Sequence, residues 1–374
     1  MGFWRLPQSG VVARLAIGAL GSGALLLAGQ AQASASAAYG PAQLRAAYDV
    51  PADVTGAGKT IVIIAAFQSP AVKTDLAAFD PACGPDARLC LAVLPLDVPT
   101  RPAPSQFPWF IEESTDVEWA HAIAPGAHLV LVEAKTGGDA DILSATKYAI
   151  DNNLGDVISM SFSEAESCPT SDFLADEHAA FERAVAQGIT LVAASGNFGP
   201  LQHSCAGPLV PDVATPASDP LVTAVGGTDV TVDASTGAYR SELAWSGSGG
   251  GFSSVYSRPS YQAPFNKDTA RGVPDVAWHA SPNHPTLIVA NGNVRPNAGT
   301  SIATAEWAGV VALADQAAGH RLGSLNELLY HAAKSNGESD RFHDISSGKR
   351  AWDAVTGLGT PDVANLVSWI AAHS

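Results

Sequence analysis

Ser301 stands in the run Asn297-Ala298-Gly299-Thr300-Ser301-Ile302-Ala303, where a hydroxyl follows a glycine turn and opens an apolar stretch of small residues. A helix N-terminus carries unpaired N–H groups and a partial positive charge, which stabilise an oxyanion formed beside such a hydroxyl. Serine is also a good helix N-cap, so it reads as a nucleophile only if a base can be found. The chain has ten histidines, none in a His-Gly-Thr-type turn of the Ser-His-Asp arrangement. His121 lies nine residues after Glu112, on the opposite helical face at about 100° per residue. His128 falls in an expected strand. Both histidines read as structural or surface residues. Glu112 and Asp116 differ, because an i, i+4 pair shares one face of a helix, one turn apart. The pair is either a solvated acidic face or, brought to Ser301, a relay sharing a proton. In the relay one carboxyl acts as base and the other orients it. A carboxylate is a weaker base than imidazole, so such a site favours acidic pH.

These residues need a scaffold, and the hydrophobic pattern supplies one. Thr60 to Phe67 is a continuous apolar run of β type, as in a buried parallel strand. A short helix and turn is expected over Tyr39 to Val54, and helices near Glu112 to Ala124, over Asp139 to Asn153 and over Ser171 to Gln187. Strands are expected over His128 to Glu133, Val157 to Phe162, Thr190 to Ala194 and Leu221 to Val225. The alternation predicts an α/β fold, with an open, mostly parallel sheet and helices on both faces. Ligands of such sheets bind beyond the carboxyl ends of strands. Ser159 to Glu164 and Ser195 to Pro200 follow strands and point to one crevice. No linker divides the chain into two domains.

The chain has 374 residues, with 47% hydrophobic and 15% charged, which suits a sizeable core. A formal net charge of −16 argues against nucleic acid and anionic membrane surfaces. Arg5 and Arg14, the apolar stretch Leu15 to Ala28 and the small-x-small site Ala31-Gln32-Ala33 predict an export signal over residues 1–33. The apolar stretch is short for a membrane anchor. An even count of four cysteines in an exported chain favours two disulfides. Cys83 with Cys90 and Cys168 with Cys205 are plausible pairs, and sequence does not fix the connectivity. Without CxxC spacing, zinc is not expected.

The motifs, taken in order, resemble the sedolisins, the serine-carboxyl peptidases with a subtilisin-like fold. Glu112-xxx-Asp116 through Ala127 is similar to the family's acidic helix, and Gly299-Thr300-Ser301 to its nucleophile turn. Ser159-Met160-Ser161-Phe162-Ser163 is near its substrate strand, with Ser163 where glycine is usual. Pro216 to Pro220, Ala224 to Thr228, Gly249 to Ser253 and Pro274 to Ala277 also resemble family segments. The resemblance implies a subtilisin-like three-layer fold over residues 34–374. It implies acyl transfer from peptide bonds, with Ser301 as nucleophile, Glu112 as base and Asp116 as its supporting carboxyl. Ser159, Ser161, Ser163, Gly249 and Gly250 would line the substrate cleft. The expected molecule is a secreted monomer acting on protein or peptide substrates, without stable membrane association.

Three departures stand out. The family's oxyanion residue is normally an aspartic acid, and here it is Asn197, whose amide donates at any pH. The proline usual after the nucleophile is Ala305, followed by Glu306. No long propeptide fits before Tyr39. The C-terminal segments Phe342 to Ile345 and Trp352 to Gly359 resemble the family's calcium site. The resemblance assigns Asp344, Ile345, Ala351 and Asp353 to one calcium ion, with Lys349 a less sure carbonyl donor. The loop Ser346 to Arg350 is shorter than usual there.

Overall fold

Seven residues, Thr60–Ala66 (β1), are buried after the first, and a run with no polar face is stable only as an inner strand. In the computed structural model, which describes residues 38–98, 106–335, 340–345 and 352–374, β1 lies inside the main sheet. The other strands of that sheet are Leu91–Pro95 (β2), His128–Ala134 (β3), Val157–Met160 (β4), Thr190–Ala194 (β5), Thr223–Val232 (β6) and Tyr239–Ala244 (β7). The order is β7-β6-β5-β4-β1-β3-β2, and Val276–His279 (β8) also pairs with β6. All these pairings are parallel except β6 with β7. The expected α/β sheet is thus present. The strand anticipated at Leu221 to Val225 runs on to Val232, because its far half gains an antiparallel partner in β7. The candidate signal, residues 1–33, lies outside the described residues.

The helices in chain order are Pro41–Ala47 (α1), Val72–Phe79 (α2), Phe107–Ile123 (α3), Asp139–Asp151 (α4), Ser171–Ala186 (α5), Thr300–Ala318 (α6), Leu325–Lys334 (α7) and Val363–His373 (α8). α3 begins well before the expected Glu112, with Pro108 in its first turn, where proline's missing N–H costs nothing. α6 is buried from Thr300 through Asp315. Its small residues allow close packing. A Cβ on Gly309 would stand 2.6 Å from Cβ of Ile123 and 3.2 Å from the Ala120 carbonyl. α3 and α6 therefore touch backbone to side chain at that point. This contact sets the acids of one helix against the serine of the other. Among the described residues, no helix is long and apolar enough to cross a membrane.

Disulfides join Cys83 to Cys90 and Cys168 to Cys205. The first closes the loop after α2. The second ties the segment after β4 to the hairpin Leu201–His203 with Leu209–Pro211.

Candidate active site

Ser301 is the second residue of α6 and only 5% exposed. Its hydroxyl donates to the Ser161 carbonyl at 3.2 Å. The Ser161 hydroxyl returns a bond to the Ser301 carbonyl at 3.3 Å. The Ser301 turn is thereby stitched to the end of β4.

β5 delivers Ser195-Gly196-Asn197 to the same place. Oδ1 of Asn197 accepts the Thr300 N–H at 2.7 Å and the Thr300 hydroxyl at 3.0 Å. Because an N–H needs an acceptor, this identifies the amide oxygen and turns the NH2 end away from Thr300. The turn is braced from behind. Gln202 donates to the Ser195 carbonyl at 3.2 Å, and Gly249 N–H to the Gly196 carbonyl at 2.9 Å. Any Cβ on Gly249 would stand 1.9 Å from the Ser195 carbonyl, and one on Gly250 equally near the Ala354 carbonyl. Both glycines are buried and let one loop lie against the back of the Asn197 turn.

Glu112 and Asp116 are buried, not solvated as an acidic helix face would be. Oε1 of Glu112 and both Asp116 carboxyl oxygens are enclosed without a hydrogen-bond partner. Burial pushes the Glu112 carboxyl up to about 7, against the pull of the Ser301 hydroxyl. Asp116 is pushed well above the usual carboxylate range by burial and by the charge of Glu112, with Ser161 opposing. Two buried carboxyls that raise one another do not readily ionise together.

The remaining assigned residues fall around this centre. Ser159 is fully buried in β4 with its hydroxyl unpartnered, and Ser163 is half-buried just beyond the strand. His121 is buried, with Nε2 2.8 Å from Asp80 and 3.4 Å from the Cys83 sulfur, so it is a structural histidine in this fold. His128 is exposed at the start of β3. Asp344 is exposed, Ile345 half-buried, and Ala351 and Lys349 lie outside the described residues. Asp353 is turned onto its own backbone. Oδ1 accepts from Val355 N–H at 2.8 Å and Thr356 N–H at 3.0 Å, and Oδ2 from the Thr356 hydroxyl at 2.7 Å. Calcium takes six or more oxygens. Two carboxylates and the Ile345 carbonyl fit such a shell in kind, and residues 346–351 or water would have to complete it.

Sequence reasoning missed further buried acids. Glu113 accepts the Ser69 N–H at 3.1 Å, and Glu118 the Val289 N–H at 2.9 Å. Glu133 of β3 and Glu306 of α6 have both carboxyl oxygens buried and unpartnered. One signal was present: α3 carries four acids and no Lys or Arg from Phe107 to Ile123, which is poor design for a solvated face.

Residues 111–347 match the Subtilase family. Kumamolisin of Bacillus sp. (strain MN-32) is 30% identical over 89% of this chain and 63% of its own length. Sedolisin of Pseudomonas sp. (strain 101) is 28% identical over 71% of this chain and 49% of its own length. The chain thus spans half to two thirds of these relatives. A solved structure of Pseudomonas sedolisin, a serine-carboxyl proteinase complexed with two molecules of pseudo-iodotyrostatin, superimposes with a TM-score of 0.78 at 27% identity. It covers 90% of this chain and 98% of the other. With the parallel sheet, the Ser301 turn at the start of α6 and the buried acids of α3 in place, the chain belongs to the subtilase family, in its sedolisin branch.

Proposed function

We propose that the protein is an exported serine-carboxyl endopeptidase. The observation that carries this reading is the burial of Glu112 and Asp116 beside Ser301, opposite an amide whose oxygen is pinned by Thr300. Ser301 Oγ attacks the scissile carbonyl as its proton passes to Glu112, and Asp116 holds the pair's remaining proton. The NH2 of Asn197 and the N-terminus of α6 face the developing oxyanion. Glu112 then protonates the leaving amine as the C–N bond breaks, leaving an ester on Ser301. Water, losing its proton to Glu112, attacks that ester, and Glu112 returns the proton to Ser301 Oγ as the ester C–O bond breaks and the acid product is freed. Ser161, Ser163 and the Gly249–Gly250 loop border the peptide's path. Ser159 supports the strand from within.

Residues 1–33 direct export, and residues 34–374 form one peptidase domain acting as a monomer. Calcium is bound through Asp344, Ile345 and Asp353, with Ala351 supplying a further carbonyl, and staples the C-terminal loop. A catalytically weak peptide-binding member is the second reading. Its support is the Ser301 hydroxyl, which donates to the Ser161 carbonyl.

The deciding test is cleavage of denatured protein from about pH 3 to about pH 8, beside Ser301→Ala and an active-site-directed aldehyde probe. Activity and labelling lost together in the mutant establish the serine mechanism. A folded protein that neither cleaves nor labels makes the binding reading the correct one. Chelation should lower the melting temperature and Asp353→Ala should remove that response; an unchanged melt disposes of the calcium.

A further inference from the structure

The close contact of α3 with α6 at Gly309 lies eight residues beyond Ser301, so it does not by itself aim the serine. Eight residues of helix span about 12 Å, and a rotation of about 5° at that contact would carry Ser301 about 1 Å from its place beside the acids of α3. A second tie, near the reacting groups, is needed to hold the crossing.

The hairpin Thr286–Ala290 (β9) with Asn293–Asn297 (β10) supplies it, since β10 runs on into the Ser301 turn. The first strand and the tip of this hairpin are fastened to α2 and α3. Glu118 accepts the Val289 N–H at 2.9 Å, and the Trp119 ring donates to the Leu287 carbonyl at 3.2 Å. Asp75 accepts the N–H groups of Asn291 and Gly292, each at 2.8 Å. At the far end of β10, Nδ2 of Asn297 donates to Oγ1 of Thr115 at 2.8 Å. Thr115 is fully buried on α3, three residues after Glu112 and therefore its neighbour on the helix surface. Its hydroxyl proton is committed to the Ile111 carbonyl at 2.7 Å, so toward Asn297 its oxygen is an acceptor alone. That fixes which end of the Asn297 amide meets α3. The Asn297 carbonyl accepts the Thr286 hydroxyl at 3.2 Å, and Gly299 N–H donates to the Ala280 carbonyl at 2.9 Å. The short stretch from Asn297 to Ser301 is thus braced along its length.

We propose, on the peptidase reading above, that Thr115 and Asn297 are positioning residues for the reaction. Their bond joins the helix of the acids to the strand that feeds the serine, and it sets Glu112 against the Ser301 hydroxyl. Breaking it leaves every reacting group in the molecule and changes only how they meet. A misplacement of about an ångström costs up to 10²-fold in rate, so the loss should appear in kcat and not in KM.

The test measures steady-state cleavage of denatured protein by the mature chain, with the folded fraction taken from near-ultraviolet circular dichroism. Thr115→Val keeps the shape without the acceptor oxygen, and Asn297→Ala removes the donor. Each should lower kcat per folded molecule about 10- to 100-fold and leave KM within about twofold. Thr115→Ser keeps the acceptor and should recover most of kcat, which a purely space-filling role would not predict. Because both residues act through one bond, the double variant should be no slower than the slower single one. Asn297 is half-buried, so its variant serves where Thr115→Val fails to fold. Full kcat in either folded single variant overturns the proposal. So do losses that multiply in the double variant, or a Thr115→Ser no faster than Thr115→Val. A wild type that neither cleaves nor takes the aldehyde probe sinks the peptidase reading and the positioning role with it. An active wild type whose variants keep full kcat sinks the positioning role alone.

Discussion

Two donors on Thr300 hold the oxygen of Asn197, and this leaves the opposite end of the amide to serve an oxyanion. Replacing Asn197 by alanine should lower kcat about 10²- to 10³-fold with little change in KM, the range for loss of one such donor. Asn197→Asp should behave differently with pH. One carboxyl oxygen can still accept from Thr300, and the other donates only while protonated. The variant should therefore match wild type at low pH and lose kcat/KM at a lower pH than wild type does. Superimposable profiles would remove Asn197 from the chemistry. For the wild type, burial of Glu112 places the acid limb of kcat/KM above the ordinary carboxylate range, because the base acts only after losing its proton. At this scale the sequence was informative about side-chain types and spacing: Ser301, Glu112, Asp116 and Asn197 all fall where turns and helix faces were expected to carry them. It was silent on Thr300, because a backbone N–H that fixes another residue's amide leaves no trace in composition.

Helices α3 and α6 can approach only where a side chain is missing, and Gly309 is that place. Gly309→Val would drive its side chain into Ile123 and toward the Ala120 carbonyl. Overpacking of this kind costs about 1–3 kcal/mol. It should also part Glu112 from Ser301, and misplacement by about an ångström costs up to 10²-fold in rate. The expected variant is folded, less stable to urea and depressed in kcat beyond what its unfolded fraction explains. A loss of stability with full kcat would show that the crossing does not set the relay. Long apolar runs made β1 and β5 legible, and strict turn residues bounded the helices between them. The start of α3 was not legible, since Phe107-Pro108-Trp109 follows a proline-rich segment and has no polar cap. β7 escaped notice because none of its residues is buried, and it only becomes a strand against the far end of β6.

Among the described residues, buried carboxyls outnumber buried cations. Burial raises Glu133 to about 8, where Lys73 opposes the shift, and Glu177 to about 8, where Asp219 adds to it. It raises Asp315 to about 7, and lifts Glu118 and Glu306 well above the usual range. Each such acid binds its proton more tightly folded than unfolded. Its contribution is fully present below the ordinary value of 4.5 for Glu or 3.8 for Asp, and is lost as pH rises through the folded value. His279, buried and pushed down to about 4, and His343, also lowered by burial, act in the opposite sense below their ordinary 6.5, two groups against several. The melting temperature should therefore fall steadily from about pH 4.5 to about pH 8, and Glu306→Gln should flatten part of that slope. A melting temperature that climbs over this interval would show that these acids ionise in place at little cost. The net charge of −16 gave warning of acidity, but which acids lie inside depends on contacts between elements distant in the chain. The bond between Cys168 and Cys205 has one more effect at this scale. It encloses α5, β5 and the Asn197 turn in a single covalent ring. Should one molecule clip another within that ring, the two pieces stay joined, and a digested population runs as intact chains until it is reduced.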